Sequence, residues 1–277
     1  MLITRRNRWR DRSGLTLLEL LISTSVMLML AGVLGGLAAA VQTSAEYSQE
    51  HGDATQQARV ALERITRNAR QALAVGDHPG MAVVAREVNG WRFPDTLIIW
   101  RPVGMPANPV GPPLVRELVI YCTHPENREQ LLEVTAPQDA RALPLDAPLE
   151  QSPWREMIDS IKTDQASRRV VLTKQLRVAS AAATNGTSQQ ASLGGAIRFE
   201  RDMRPSAAEW NQYRAGLRQW EGLSWAQGIG GKQTGLRQVW LRVEMQLDPS
   251  AASDTDATPP LVFLGSAATL YKLERSP

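Results

Sequence analysis

The order of apolar and polar positions divides the chain into three stretches of different character. Residues 1–14 are polar and carry Arg5, Arg6, Arg8, Arg10 and Arg12 against a single acid, Asp11. Leu15 to Val41 is a run of 27 residues in which Glu19 is the one ionisable side chain. As a helix at about 1.5 Å per residue this run extends roughly 40 Å, more than the roughly 30 Å hydrocarbon thickness of a bilayer. Further on, "DATQQARVALERITRNARQAL" places Ala58, Leu62, Ile65, Ala69 and Leu73 at steps of three and four, the spacing of one helical face, with Arg59, Glu63, Arg67 and Arg70 opposite. The helix is therefore expected to continue past the apolar run, with a bend or break around Gly52 and a stop at "GDHPG", residues 76–80.

After that stop the pattern changes to short stretches rich in β-branched and aromatic residues. "DTLIIWRP", "RELVIYCT" and "QLLEVTA" read as strands, and "HPEN" between the last two predicts a hairpin over about 116–135. Later strands are expected at "RRVVLTKQLRV", "GGAIRFERD", "RQVWLRVEMQL" and "LVFLG". Polar or Pro-rich connections at 102–113, 137–153, 180–192 and 248–260 separate them, the first and last reading as mobile loops. One insertion, "SAAEWNQYRAGLRQW", opens with Ser206 and Glu209 in capping-box spacing and continues with Trp210, Tyr213, Leu217 and Trp220 at helical intervals. Either this is a short helix packed on the sheet, or Trp210 and Trp220 present an aromatic contact surface to a partner.

Charge changes the picture only at the N-terminus. The whole chain has a formal net charge of +3, but the first 14 residues hold an excess of four positive charges, so the remainder is near neutral and no nucleic-acid partner is expected. The single cysteine, Cys122, cannot form an intramolecular disulfide. His51 falls on a helix, and His78 and His124 each precede a proline in turn-like sequence, so all three read as solvated. No spaced triad, HExxH, paired CxxC, phosphate-binding glycine loop or EF-hand is present. "SDTDAT" reads as an acidic loop rather than a calcium site. The expectation is a non-enzyme with no catalytic residue, no metal and no cofactor.

An isolated acid in a membrane segment costs on the order of 2 to 3 kcal/mol or more, so Glu19 needs a partner. A secretory signal has too short an apolar stretch to match, a twin-arginine signal would need more than Arg5 and Arg6, and a plain anchor leaves Glu19 without a purpose. The order Gly14, Leu15, Thr16, Leu17, Leu18, Glu19 resembles the class III leader of type IV prepilins and type II secretion pseudopilins, with leucine where phenylalanine is commonest. The resemblance implies cleavage between Gly14 and Leu15 by a prepilin peptidase and N-methylation of Leu15. It implies that Glu19, with Thr16 beside it, meets the new amine of a neighbouring subunit, since within one chain helical geometry makes that contact awkward. Gly32 and Gly36 have small-xxx-small spacing that permits close helix approach, although ordinary membrane glycine explains them equally well.

Helix followed by strands, with "TLIIW", "LVIY" and "RQVWLRVEM", is similar to the large minor members of that superfamily, the J-type pseudopilin and the W-type minor pilin. The implied fold is α+β, a long N-terminal helix on an antiparallel sheet. The implied organisation is a leader at 1–14, a transmembrane assembly helix at 15–41, its amphipathic continuation at 42–75 and a β-rich head at 76–277. Implied partners are the peptidase, other minor and major pilins or pseudopilins, and an inner-membrane assembly platform. The positive-inside rule puts the N-terminus in the cytoplasm and the head across a single-pass span of the inner membrane. A minor pilin of DNA uptake or adhesion is the alternative within the family, and a membrane-tethered enzyme the alternative outside it.

Overall fold

The computed structural model describes residues 16–74, 78–88, 91–109, 111–144, 152–181, 191–226, 231–249 and 259–275. Helix α1 spans Leu17–Arg70, Gly52 included, so the expected interruption does not occur and the helix ends five residues before the expected boundary at 75. The chain clusters into two units, one up to Glu50 and one from His51 onward. In the first, every residue of α1 is exposed and the apolar stretch reaches a mean hydropathy of 2.2, so the helix is long and apolar enough to cross a membrane.

In the second unit, α1 contributes Ala54, Ala58, Ala61, Ile65 and Ala69 to the core, all with no exposed surface. The sequence stripe had Leu62 and Leu73 in this set. Leu62 lies half-buried at the side, and Leu73 is beyond the helix, packed into a second core. Small side chains along the contact line allow the helix to lie close to the strands beneath it.

Two antiparallel sheets share that helix. The first has five strands in sequence order, β1 (Met81–Val88), β2 (Trp91–Trp100), β3 (Leu118–Thr123), β4 (Leu131–Thr135) and β5 (Arg168–Thr173). The predicted hairpin is β3–β4, with Ile120 opposite Val134 and Thr123 opposite Leu131. One face of this sheet meets α1 through Met81, Leu97, Ile99, Val119, Tyr121 and Leu131. The other is covered by a helix the sequence pattern had not revealed, α2 (Ser152–Thr163), through Trp154, Met157, Ile158 and Ile161. Covered on both sides, β3 is buried at all six positions, which is why it reads as a continuous apolar run.

The stretch expected as one strand over 168–178 is two. Its first half is β5, which leaves that sheet after Thr173, and beyond a bridge from Leu176 to Leu247 the chain enters β6 (Val178–Ala181), which forms a separate two-stranded ribbon with β7 (Ala191–Gly195). The second main sheet has the order β10–β9–β8, made of β8 (Ile197–Arg204), β9 (Thr234–Leu247) and β10 (Leu261–Glu274). Strand β9 alternates buried and less buried positions along its length, the signature of a sheet packed on one face only. Strand β10 runs nine residues beyond the expected "LVFLG". The fold is the α+β, pilin-like arrangement that the resemblance implies, with two main sheets and a ribbon in place of one sheet.

A polar chain fixes the helix to the first sheet. The Arg64 guanidinium donates two hydrogen bonds to the Glu133 carboxylate at 2.6 and 2.7 Å, and the Tyr121 hydroxyl donates to the same carboxylate at 3.0 Å. Asn68 donates to the Tyr121 oxygen at 2.5 Å and accepts from Arg101 at 2.6 Å. Burial, reinforced by the Glu133 charge, pushes the Tyr121 phenol well above its ordinary value, so it remains a donor. The connection at 102–113, expected to be mobile, is tied down by Glu117, whose carboxylate accepts from the Trp100 indole and the Ala107 and Leu114 amides. The connection at 248–260 lies largely outside the described residues.

Replacing Glu133 by alanine leaves Arg64 and Tyr121 without their shared acceptor, and is expected to cost about 2 to 3 kcal/mol. Urea unfolding of the detergent-solubilised protein, followed by tryptophan fluorescence, would show it as a lowered midpoint with unchanged slope.

Candidate functional site

The chemistry worth locating lies at the start of α1, in the aromatic insertion and at the histidines. Gly14 and Leu15 lie outside the described residues. Thr16 and Glu19 are described, and together they form a reciprocal cap. The Glu19 carboxylate accepts the Thr16 amide N–H at 3.0 Å and the Thr16 hydroxyl at 3.1 Å, while the Thr16 hydroxyl oxygen accepts the Glu19 N–H at 3.3 Å. This is the capping box of a helix N-terminus, where a carboxylate satisfies orphan backbone donors and faces the positive end of the helix dipole. "TLLE" carries that signature in the sequence, at the start of an apolar run.

The expectation that Glu19 meets the amine of its own chain only awkwardly concerns Leu15 and so lies outside the described residues. The cap folds the carboxylate back over three residues onto the amide of Thr16, the residue bonded to Leu15.

Two other hydroxyls in the apolar stretch are satisfied along the helix. The Thr24 and Ser25 hydroxyls both donate to the Leu21 carbonyl, at 3.0 and 2.8 Å. Gly32 and Gly36 meet nothing within 4 Å of where a Cβ would stand, so a close approach there has no occupant among the described residues.

The insertion forms α3 (Ala207–Arg214), and its predicted capping box is present, with Ser206 N–H donating to Glu209 at 2.9 Å and Glu209 N–H to the Ser206 hydroxyl at 3.2 Å. The helix is shorter than the aromatic spacing suggested. Gly216 takes a positive φ of 71°, turning the chain, so Leu217 is exposed instead of joining the stripe. Trp220, Leu223, Trp225 and Leu273 form a small satellite core, with Trp210 and Tyr213 packed half-buried against it. The Trp220 and Trp225 rings lie 4.6 Å apart between centroids, and Trp225 covers Gly235 so closely that a side chain there would collide with the ring. Trp220 is 1% exposed, the packed alternative of the two the sequence offered, whereas Trp210 retains surface.

His78 differs from its expected solvated state. It is buried against Trp100, and burial together with the nearby Arg201 guanidinium lowers its pKa from 6.5 to about 4. His124 does sit in a turn, where its Nδ1 accepts the Glu126 and Asn127 amides at 3.1 Å. Cys122 is buried and its thiol is pushed up to about 11, which makes it unreactive at neutral pH. Among the described residues no three His, Cys, Asp or Glu side chains converge as a metal site would require. A groove of about 1010 Å³ runs along β8 and over Val83, Ala85, Phe93 and Pro94, and the charges on its rim include the ion-paired Arg198 and Glu200.

No protein-family profile, curated protein or solved structure matches the chain.

Two outcomes follow from these placements. Trp220→Ala is expected to cost about 3 to 5 kcal/mol in urea unfolding, while Trp210→Ala, removing a ring from the edge of the cluster, costs visibly less. For His78 the folded pKa is depressed, so its contribution is complete above the unfolded value near 6.5 and is lost as pH falls toward 4. Between pH 7 and 4.5 the protein should lose roughly 2 kcal/mol on this account, and His78→Gln should flatten that part of the stability profile.

Proposed function

We propose that the chain is a minor pilin-like structural subunit, cleaved after Gly14 by a prepilin peptidase, N-methylated at Leu15 and assembled through its N-terminal helix into a type II secretion pseudopilus or type IV pilus. It acts without catalysis, at the tip of the assembly or in its initiation, with other pilins or pseudopilins and an inner-membrane platform as partners. Its N-terminus is cytoplasmic before cleavage and its head extracytoplasmic, as the arginines of residues 1–14 favour.

The observation that carries this reading is the disposition of Glu19, the one acid in the apolar stretch, at the very start of the helix. Before cleavage the Thr16 cap offsets part of the cost of holding a carboxylate among apolar residues. Cleavage adds a cationic amine one residue from Thr16. The capped carboxylate then has two competing partners, the amine of its own chain and that of a neighbour. Exchange from the first to the second costs little, because each state pairs the same two charges, and it fixes axial register between subunits. Glu19 in this account is held ready by its own chain and handed to the next.

Glu19→Leu keeps the span apolar and removes the handover. The variant should fractionate with the membrane as the unaltered protein does, while its content in sheared or extracted filaments falls roughly tenfold or more. Equal incorporation of the variant would refute the proposal.

A further inference from the structure

The described residues contain four strands at the edges of the two main sheets: β1, β5, β8 and β10. An open strand edge presents unpaired N–H and C=O groups, and proteins ordinarily protect it with charge, proline or a bulge. Three of the four follow that practice. Strand β1 carries Arg86 and Glu87 and a register shift between Val84 and Arg86. Strand β5 carries Arg168 and Arg169. Strand β8 carries Arg198, Glu200, Arg201, Asp202 and Arg204, and its Arg201 guanidinium donates to the Met81 carbonyl at 2.7 Å.

Strand β10 has none of these protections over most of its length. From Leu261 to Tyr271 it contains no charged residue and no proline, and it pairs with β9 in unbroken register from Leu261 opposite Leu247 to Glu274 opposite Thr234. The ladder also fixes which residues face outward. The Gln246 amide donates toward β8, to the Ala196 carbonyl, so the even-numbered residues of β9 bond to β8 and the odd-numbered ones to β10. By the pairing register, the odd residues of β10 bond to β9, and Val262, Leu264, Ser266, Ala268 and Leu270 direct their backbone groups to the open edge. The same residues point their side chains away from the core, with Val262, Leu264 and Leu270 at 54, 70 and 50% exposure and Trp240 beside them at 49%. An apolar, hydrogen-bonding edge of this kind is matched by another strand of the same character.

We propose that β10 is a self-association edge, pairing antiparallel with β10 of a second copy about a two-fold axis through Ser266. Self-complementarity of the uncharged row selects the second copy, and Lys272 limits how far the register can slide toward the C-terminal end. Centred on Ser266, Val262 faces Leu270 of the second copy, Leu264 faces its Ala268 and Ser266 faces its Ser266, so no charge meets an apolar residue. Moving the axis by one residue to Ala267 places Lys272 opposite Val262. The resulting pair joins two three-stranded sheets into one of six strands and covers the exposed apolar row. This association belongs to the head and is independent of the assembly role assigned to Glu19.

The test uses the full chain purified in detergent. Facing residues of a hydrogen-bonded antiparallel pair have Cα atoms about 5.5 Å apart, within disulfide range, whereas Leu264 in the two copies would be roughly 14 Å apart. Mild oxidation should therefore convert Ser266→Cys to a covalent dimer at least tenfold faster than Leu264→Cys, with buried Cys122 contributing nothing. Light scattering should find a dimer for the unaltered chain, and Ala268→Lys, which places a charge against Leu264 on an exposed side chain, should return it to monomer. A monomeric unaltered chain, a dimer indifferent to Ala268→Lys, or equal cross-linking of the two cysteine variants would each overturn the proposal.

Discussion

The head depends on one contact line, the row Ala54, Ala58, Ala61, Ile65 and Ala69 along α1. That row meets β1, β2, β3 and β4 of one sheet and β8, β9 and β10 of the other, so the helix is the shared wall of a core that neither sheet closes alone. Alanine at four of the five positions lets the backbone of the helix approach the strands, and a larger side chain at any of them would push both sheets outward. The two hydrogen bonds from Arg64 to Glu133 then fix where along the helix the first sheet sits, because a translation of one turn would leave the buried carboxylate with the Tyr121 hydroxyl but without its guanidinium partner.

The same helix obeys two different rules in its two units. Up to Glu50 its side chains are exposed on every face and apolar for most of that length, as suits a lipid surround. From His51 it is small and apolar on one face and charged on the other, as suits a protein surface. The Thr24 and Ser25 hydroxyls bond along the helix itself, in the manner that a medium without water requires. Glu19 is the exception in charge within the apolar stretch, and its cap on Thr16 shows how the chain accommodates it before any other molecule is involved.

Periodicity reads well where an element has one buried and one exposed face. The helix beyond His51 and β9 meet that condition, whereas the β3–β4 hairpin, buried on both faces, is legible from two β-branched apolar runs on either side of the turn "HPEN". Strand β1 is buried on both faces at Met81 and Ala82, and α2 begins "SPW", where Pro153 reads as loop even though proline is well tolerated in the first helical turn. The far half of β10 has the opposite problem. As an edge strand it is partly exposed on both faces, and "GSAATL" carries neither strong β-formers nor alternation. At the candidate site, the singular position of Glu19 is legible from charge alone, while its hydrogen-bond partner needs the capping geometry. His78 looks solvated in "GDHPG" because a turn sequence gives no sign that Trp100 and Arg201 close over it.

The central claim is that Thr16 and Glu19 stand at the beginning of the working protein and not inside it. Intact-mass and N-terminal peptide mass spectrometry of the chain isolated from its own membranes tests this directly. The account predicts a chain that begins at Leu15 with a methylated α-amine. A chain that retains the arginines of residues 1–14, or one that begins near residue 40, contradicts it.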